Sequence, residues 1–216
     1  MCGEVTRQGR SQSPQRPGNR MCMASAGSLR PAVFLDRDGV INENRSDHVK
    51  AWEEFVFLPG VLDALRLLAR HDRPIIVVTN QAVINRGLVR RETVEQVHRR
   101  MCDEIAQGGG RIDAIYYCPH RPEEGCDCRK PRPGLLLQAA REMSLDLPGS
   151  YFIGDALSDV EAALAAGCRP ILVLTGRGQD QRGVLEQRGQ GHVTVVQNLN
   201  QAIACVVAPQ ALPVSC

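Results

Sequence analysis

The stretch PAVFLDRDGVIN, residues 31–42, ends an apolar run with two carboxylates. The apolar residues from Ala32 to Leu35 predict a buried strand, and Asp36 and Asp38 follow it directly. Residues i and i+2 of an extended chain project to the same side, so these carboxylates repel each other unless a cation lies beside them. Mg²⁺ binds such carboxylates together with phosphate oxygens. A turn rich in Asp and Gly accounts for the same residues, and this stretch alone does not decide between the two interpretations.

Strand-like and helix-like patterns alternate from this stretch almost to the C-terminus. We expect strands at residues 32–36, 74–80, 113–118, 150–155, 170–176 and 192–196, and helices at residues 61–71, 92–107, 133–143, 158–167 and 198–206. Continuous apolar strands that alternate with helices are typical of a parallel sheet covered on both faces. The sequence therefore predicts an α/β fold, with one Rossmann-like domain over residues 31–204 and a short C-terminal tail over residues 205–216.

The composition is that of a globular protein without a membrane-spanning or nucleic-acid-binding surface. The 216 residues are 43% hydrophobic and 23% charged, and no apolar run approaches the roughly 18 residues of a membrane span. Residues 1–30 carry five arginines and one glutamate, which leaves −2 for the remainder of a chain whose net charge is +2. We interpret this basic segment as a disordered, solvated tail rather than a nucleic-acid-binding arm. Because an apolar secretory signal is absent, we expect a cytoplasmic protein, and we expect it to be a monomer.

Polar residues stand at the carboxyl ends of the predicted strands, which share one edge of a parallel sheet where ligands bind. Thr79 and Asn80 offer a hydroxyl and an amide for phosphate oxygens, and Asp155 offers a further metal ligand. Asp159 is placed to cap the next helix or to hold the loop. Lys130 is one of two lysines in a chain with 26 lysines and arginines. Because arginine is the usual cation of this chain, a lysine here favours a compact ammonium group that contacts phosphate over an ordinary surface lysine.

Three of the nine cysteines and one histidine form a C-x-H-x₅-C-x-C pattern: Cys118, His120, Cys126 and Cys128. Three thiolates and one imidazole match a closed structural Zn²⁺ site, although unligated cysteines remain the alternative on spacing alone. The loop that zinc would hold lies directly before Arg129 and Lys130. Helical or apolar segments surround Cys102, Cys168 and Cys205, which we expect to be small core residues.

Four motifs of the chain resemble, in order, those of the haloacid dehalogenase superfamily of phosphatases: FLDRDGVIN, VVTNQ, CDCRKPRPG and IGDALSD. The resemblance is closest to the subgroup of D-glycero-D-manno-heptose 1,7-bisphosphate 7-phosphatases and histidinol-phosphate phosphatases, and it runs from about Pro31 to about Ala204. It implies a Mg²⁺-dependent phosphoric monoester hydrolase that acts on a small phosphorylated sugar. It also favours zinc over unligated cysteines for the C-x-H-x₅-C-x-C pattern.

The resemblance implies a role for each residue at the strand ends. Asp36 would attack phosphorus and form an aspartyl-phosphate, while Asp38 would act first as an acid and then as a base. Mg²⁺ would be held by the Asp36 side chain, the Asp38 carbonyl and Asp155. The transferring phosphoryl group would be held by three residues: Thr79, Asn80 and Lys130. Arg129 would reach the rest of the substrate, where a second phosphate is expected.

Two departures from the family and one short loop bear on the substrate pocket. Ala82 and Ala156 stand where the family often has Ser and Lys, which leaves the substrate preference open. Residues 43–52, where a mobile cap domain could be inserted, are too few to form one, so we expect an open site without a large cap domain. Arg45 and Arg86 are candidate substrate contacts, and a role as solvent-facing arginines is about as well supported.

The leading hypothesis is removal of the 7-phosphate from heptose 1,7-bisphosphate, because a bisphosphate suits Arg129 and Arg86. Histidinol phosphate, with one phosphate and a cationic amine, is the second candidate substrate. A non-catalytic, zinc-stabilised binding domain is disfavoured because it would need neither Asp36 nor Asp38. A nucleic-acid 3′-phosphatase would rest only on the basic tail, since the charge of −2 on the remainder offers no broad surface for a phosphate backbone.

Overall fold

The computed structural model describes residues 4–6 and 29–208. Its strands are β1 (Glu4–Thr6), β2 (Arg30–Leu35), β3 (Ile75–Asn80), β4 (Ala114–Cys118), β5 (Leu145–Gly154), β6 (Arg169–Val173) and β7 (Thr194–Val196). Its helices are α1 (Val61–Leu68), α2 (Arg91–Gln107), α3 (Gly134–Met143), α4 (Leu157–Ala166), α5 (Gly178–Gln187) and α6 (Leu199–Val207). The sheet order is β1-β4-β3-β2-β5-β6-β7, and β2 to β7 run parallel. The predicted α/β fold with a parallel sheet is confirmed.

Apolar side chains that alternate along the central strand β2 build a core on each face of the sheet. Val33 and Leu35 lie in a buried cluster with residues of α1, α2 and α6. Ala32 and Phe34 point to the other face and lie in a cluster with residues of α3 and α4. Successive residues of a strand face opposite sides, so a strand that is apolar at every position requires helices on both faces.

Helix α5, strand β5 and helix α1 differ from the sequence-based expectation. α5 was not predicted, because its sequence GQDQRGVLEQ buries only Gly178 and Leu185 and therefore carries little apolar periodicity. β5 begins at Leu145 rather than at residue 150, because Leu145 pairs with Arg30 before the register of β2 and β5 shifts between Pro31 and Val33. α1 ends at Leu68, three residues before the expected end at His71.

The basic segment 1–30 lies mostly outside the described residues. Within it, Glu4–Thr6 pair antiparallel with β4 and Arg30 begins β2, so the prediction of disorder is wrong at these positions. The pairing occupies the edge of β4 that the parallel strands leave open, which satisfies its backbone hydrogen-bonding groups. At the other end, α6 continues to Val207, past the domain boundary predicted at residue 204, and residues 209–216 of the predicted tail lie outside the described residues.

The prediction that Cys102, Cys168 and Cys205 are core residues holds at two of these positions. Cys102 and Cys168 are buried, whereas Cys205 is exposed, so the prediction of a core position is wrong for Cys205. The apolar segment around Cys205 is an amphipathic helix, α6, whose inner face carries Ala202, Ile203 and Val206. Cys205 falls on the outer face because of the helical period, which an apolar composition does not reveal.

A loop and a single 3₁₀ turn, Trp52–Glu54, connect β2 to α1, so no cap domain is inserted at this position. The turn is anchored by aromatic packing, with the ring of Trp52 stacked on Phe55 at 5.1 Å and edge-on to Phe57 at 6.4 Å. The connection that follows β2 therefore leaves the site without a cap domain at this position. Across the described part of the chain, none of the helices has the length and apolar character needed to cross a membrane.

Candidate active site

The carboxyl ends of β2, β3 and β5 border a cleft of about 200 Å³. Every residue predicted to contact substrate or Mg²⁺ lines it: Asp36, Asp38, Arg45, Thr79, Asn80, Arg86, Arg129, Lys130 and Asp155. Parallel pairing of β2 with β3 places Leu35 opposite Val77, so the residues that follow each strand emerge at the same edge. The two departures from the family, Ala82 and Ala156, also line the cleft.

Two glycines allow the loops after β2 and β6 to close onto Asp155. A Cβ on Gly39 (φ +87°) would lie 2.0 Å from Asp155 Oδ2, and one on Gly176 (φ +58°) would lie 2.2 Å from the same atom. The Thr175 hydroxyl donates to the Gly39 carbonyl at 2.7 Å, and the Arg177 backbone N–H donates to Asp155 Oδ2 at 2.8 Å. Both glycines also have positive φ, which side chains rarely adopt. Asp155 is thus held between two tightly packed loops.

Lys130 provides a buried positive charge at the floor of the cleft. Its Nζ lies 2.8 Å from Asp36 Oδ1 and 2.7 Å from Asp159 Oδ1, and it donates to the Val78 carbonyl at 3.0 Å. The Asn80 side chain accepts from the Lys130 backbone N–H and donates to the Lys130 carbonyl, both at 3.2 Å. Asn80 therefore positions Lys130 as well as lining the cleft, which the sequence did not indicate.

Three buried carboxylates surround this lysine: Asp36, Asp155 and Asp159 have oxygens within 4.8 Å of one another. Asp159 Oδ2 also accepts from the Ala156 backbone N–H at 3.1 Å, as expected for a residue that caps α4. Burial and repulsion between the carboxylates raise the pKa of Asp36 to about 6 and the pKa of Asp155 to about 8. One lysine does not balance three carboxylates, so this oxygen-rich set fits a hard divalent cation such as Mg²⁺.

The Asp38 carboxylate is surrounded by hydrogen-bond donors. Arg37 Nη2 donates to both of its oxygens at 2.9 Å, Asn42 Nδ2 donates to Oδ1 at 2.9 Å, and Gln81 Nε2 donates to Oδ2 at 2.9 Å. Burial opposes ionisation of Asp38, but the Arg37 charge and these hydrogen bonds outweigh it and lower the pKa of Asp38. The sequence motifs indicated no role for Arg37, Asn42 or Gln81, although each lies in a quoted motif.

Arginines surround the mouth of the cleft, and they are not equivalent. Arg45 forms salt bridges with Asp47 at 3.1 Å and with Glu54 at 3.9 Å, so its charge is already compensated. Arg86, Arg129 and Arg177 form no salt bridge with any residue of the 29–208 segment. These three side chains are therefore the better candidates to meet an anionic group at the mouth.

Five polar residues of the cleft were not predicted to contact substrate or metal: Asn44, His48, Ser158, Asp159 and Arg177. His48 has a left-handed backbone (φ +66°), an unusual conformation for a residue with a side chain. Its Nε2 lies 3.4 Å from Arg86 Nη1, and burial together with the Arg86 charge lowers its pKa. Sequence motifs did not reveal His48 or Arg177, because the loops that carry them meet only in the folded chain.

The C-x-H-x₅-C-x-C residues meet at the end of β4. The Cys118, His120, Cys126 and Cys128 ligand atoms make contacts of 3.2–3.6 Å. The sulfurs are too far apart for disulfide bonds of about 2.05 Å. Tetrahedral ligands about 2.0–2.3 Å from a zinc ion are separated by about 3.3–3.8 Å, so these four residues fit a closed zinc site. Arg129 Nη1 donates to the His120 carbonyl at 3.1 Å and links this loop to the cleft wall.

A parallel α/β sheet with an aspartate after its central strand, a buried lysine and further aspartates at neighbouring strand ends defines a phosphate-ester hydrolase of the haloacid dehalogenase class. A HAD-hydrolase-like family model matches residues 127–202. The chain is 45% identical over 156 residues to the D-glycero-β-D-manno-heptose-1,7-bisphosphate 7-phosphatase of Pseudomonas putida, covering 71% of this chain and 89% of that protein. It therefore belongs to the D-glycero-β-D-manno-heptose-1,7-bisphosphate 7-phosphatase family of this class.

Other relatives and solved structures agree with this assignment. The enzyme of the same name from Pseudomonas aeruginosa is 42% identical over 149 residues, covering 69% of this chain and 84% of that protein. The crystal structure of D,D-heptose 1,7-bisphosphate phosphatase from Bordetella bronchiseptica, complexed with magnesium and phosphate, has a TM-score of 0.77 and 39% identity, covering 82% of this chain and 98% of that one. The corresponding Burkholderia thailandensis structure has a TM-score of 0.63 and 30% identity, covering 83% and 100%.

Proposed function

We propose that this chain is a Mg²⁺-dependent phosphatase that removes the 7-phosphate of D-glycero-D-manno-heptose 1,7-bisphosphate through an aspartyl-phosphate intermediate. The observation that carries the proposal is the 2.8 Å contact of Asp36 with Lys130 inside a cleft whose mouth bears three arginines that form no salt bridge within residues 29–208. This arrangement combines a nucleophile, a positive charge for the reacting phosphate and positive charges for a second, distant phosphate. The names of the relatives support the same substrate.

In the first step, Asp36 attacks phosphorus through Oδ2. Both donors that contact this carboxylate within residues 29–208 approach Oδ1, the Arg37 backbone N–H at 2.7 Å and Lys130 Nζ at 2.8 Å. As the new O–P bond forms, the bond between phosphorus and the sugar oxygen breaks, and Asp38 gives a proton to the leaving alkoxide. Lys130 and Thr79 stabilise the charge on the transferring phosphoryl group. Because its pKa is lowered, Asp38 has to take up this proton as the substrate binds.

In the second step, Asp38 takes a proton from water while the water oxygen attacks the phosphorus of the aspartyl-phosphate. The bond between phosphorus and the Asp36 oxygen breaks, and inorganic phosphate leaves. The donors around Asp38 suit its ionised, base form. When bound, Mg²⁺ would be held by Asp36, Asp155 and the Asp38 carbonyl, and it would weaken the repulsion between the anionic nucleophile and the phosphate.

The C-x-H-x₅-C-x-C residues have a structural role in this proposal. Zinc held by them would fix the loop that carries Arg129 and Lys130, and the 3.1 Å contact of Arg129 with the His120 carbonyl supports this coupling. The monomeric state stays a prediction. The cytoplasmic location stays a prediction.

Histidinol phosphate is the second candidate substrate, because the subgroup that the chain resembles also includes histidinol-phosphate phosphatases. Its cationic amine would face like charges at the mouth, from Arg86, Arg129 and Arg177. We therefore expect it to be the poorer substrate.

The experiment that tests the function measures phosphate release from heptose 1,7-bisphosphate, heptose 7-phosphate and histidinol phosphate, with Mg²⁺ and after chelation. We expect the highest kcat/KM for the bisphosphate and loss of turnover after chelation. A higher kcat/KM for histidinol phosphate would reassign the substrate, and no release from any of the three would contradict the phosphatase assignment itself.

A further inference from the structure

We propose that His98 is a positioning residue that holds the acid/base carboxylate of Asp38 through the buried guanidinium of Arg37. This inference rests on the role of Asp38 in the proposed function. Arg37 follows the nucleophile directly but is only 1% exposed, and its Nη2 lies 2.9 Å from both oxygens of Asp38. Its other terminal nitrogen, Nη1, lies 3.1 Å from His98 Nε2. Arg37 is therefore held between Asp38 on one side and His98 on the other.

His98 reaches this position from the middle of α2, on the opposite side of Arg37 from the cleft. It lies on the buried face of that helix with Val94, Val97 and Met101, and it is 1% exposed. Its ring packs edge-on to Tyr117 of β4, with centroids 5.5 Å apart. Neither His98 nor Arg37 lines the cleft, so neither contacts substrate, and an influence of His98 on the reaction passes through Asp38.

The contact requires a neutral histidine. Arginine has only donors, so Nε2 of His98 must be an acceptor, which places the ring proton on Nδ1. Burial and the neighbouring Arg37 charge lower the pKa of His98 to about 3, and the ring is therefore neutral at ordinary pH. Within the described residues, Arg37 Nε and His98 Nδ1 have no hydrogen-bond partner. Among the described residues, the Nη1 contact with His98 is the only side-chain hydrogen bond of Arg37 apart from those to Asp38.

A neutral hydrogen-bond acceptor at position 98 suits Arg37 better than a carboxylate or an apolar side chain does. A carboxylate at position 98 would compete with Asp38 for the same guanidinium and draw it away from the cleft. A residue without an acceptor would leave Nη1 buried and unpaired, and Arg37 would be free to change rotamer. Histidine anchors one end of the guanidinium without adding a second negative charge. The full charge of Arg37 then orients one carboxylate, that of Asp38.

The test uses leaving groups of different quality and compares kcat/KM, which reports the steps up to release of the leaving group. In those steps, a proton from Asp38 matters only when the leaving oxygen is basic. We expect His98→Phe, which keeps a planar ring but removes the acceptor, to lower kcat/KM on a sugar phosphate by about tenfold to a hundredfold. On 4-nitrophenyl phosphate, whose phenolate needs no proton, the loss should be about threefold or less. KM for both substrates should change little, because His98 does not touch them.

A conservative variant separates positioning from packing. His98→Gln can place an amide oxygen near the position of Nε2, so it should recover most of the activity on the sugar phosphate. His98→Asn is polar but too short to reach Arg37, so it should show the same leaving-group-dependent loss as His98→Phe. This pair keeps the test valid if His98→Phe fails to fold. Equal losses of kcat/KM on both substrates, or the same kcat/KM for His98→Gln and His98→Asn on the sugar phosphate, would show that His98 has only a packing role.

Asp38→Asn distinguishes failure of this inference from failure of the proposed function. If Asp38→Asn shows a leaving-group-dependent loss and the His98 variants do not, the inference is wrong and the acid/base assignment stands. If Asp38→Asn shows no such dependence, both the inference about His98 and the acid/base assignment of Asp38 are overturned. In the double variant Asp38→Asn/His98→Phe, we expect no further loss of kcat/KM on the sugar phosphate beyond that of Asp38→Asn, because both changes remove the same function.

Discussion

Lys130 Nζ lies 2.8 Å from Oδ1 of Asp36, although 94 positions separate the two residues in the sequence. The same ammonium group lies 2.7 Å from Asp159 Oδ1. This contact joins the first and third sequence motifs into one site and occupies one oxygen of the carboxylate. It thereby leaves the other oxygen of Asp36 for attack on phosphorus, and it places a positive charge beside the transferring group.

We expect Asp36→Asn to abolish turnover while the protein remains folded. The change removes the nucleophile with little change in volume. Because burial raises the pKa of Asp36 to about 6, ionisation of this carboxyl group does not stabilise the folded state. Phosphate release and thermal unfolding, measured on the same sample, check this expectation. Turnover near the wild-type level would contradict the aspartyl-phosphate mechanism.

We expect Lys130→Met to damage both catalysis and stability. Lys130 is 4% exposed, and its removal leaves Asp36 and Asp159 as buried carboxylates without a counter-charge. Loss of one partner of a buried ion pair typically lowers the free energy of unfolding by about 3–5 kcal/mol. Urea unfolding and kinetics with the mono- and bisphosphate substrates measure the two effects, and both substrates should be affected alike.

The only other lysine provides the control for that experiment. Lys50 lies at the surface in salt bridges with Asp47 and Glu54. Lys50→Met should leave stability and activity nearly unchanged, because exposed ion pairs contribute little. An equal effect of the two substitutions would mean that the buried position of Lys130 has no special importance.

We expect Arg129→Ala to impair a bisphosphate much more than the matching monophosphate. A charge-assisted hydrogen bond of about 1.5–3 kcal/mol implies a selective loss of roughly tenfold to a hundredfold in kcat/KM. Arg45→Ala is the matched control, because Arg45 lines the same cleft but already forms salt bridges with Asp47 and Glu54. If Arg129→Ala affected both substrates equally, histidinol phosphate would become the better candidate.

We expect about one tightly held zinc ion per chain in freshly purified, unchelated protein. Cys126→Ser should lower the zinc content and raise KM, because the loop that carries Arg129 would lose its anchor. Cys205→Ser is the control, since Cys205 is exposed on α6, far in sequence from the C-x-H-x₅-C-x-C pattern. Elemental analysis that finds no zinc in the wild-type protein would defeat this assignment.

We expect Mg²⁺ to stabilise the protein more at pH 8 than at pH 6. In the metal-free protein, burial and the neighbouring carboxylates raise the pKa of Asp155 from 3.8 to about 8. The folded state then binds the proton more tightly than the unfolded state, so the contribution of Asp155 to stability falls as pH rises from about 4 to 8. Mg²⁺ offsets this loss, and it competes with fewer protons at the higher pH.

The melting temperature, measured with and without Mg²⁺ at both pH values, checks this expectation. Asp155→Asn should show little dependence on Mg²⁺ at either pH, because the variant lacks both the titrating group and a proposed ligand. A gain from Mg²⁺ that is equal at the two pH values in the wild-type protein would contradict the proposed link between Asp155 and the cation.

The secondary structure and the burial of individual residues could be predicted from the sequence only in outline. The central strands were predicted because Val33, Leu35 and their neighbours are apolar at every position, which is typical of a strand buried on both faces. α5 was missed because it buries very few residues, and Cys205 was placed in the core because composition does not reveal which face of a helix a residue occupies.

The sequence by itself determined which residues stand at the carboxyl ends of the strands, because parallel strands bring their ends to one edge whatever the details of packing. Asp36, Thr79 and Asp155 could therefore be placed together before the structure was known. Only the tertiary structure decided what surrounds them. The contact of Arg37 with His98 spans 61 positions, and it depends on how α2 packs against the sheet. Such contacts follow from the packing of side chains between elements, which local patterns in a sequence do not encode.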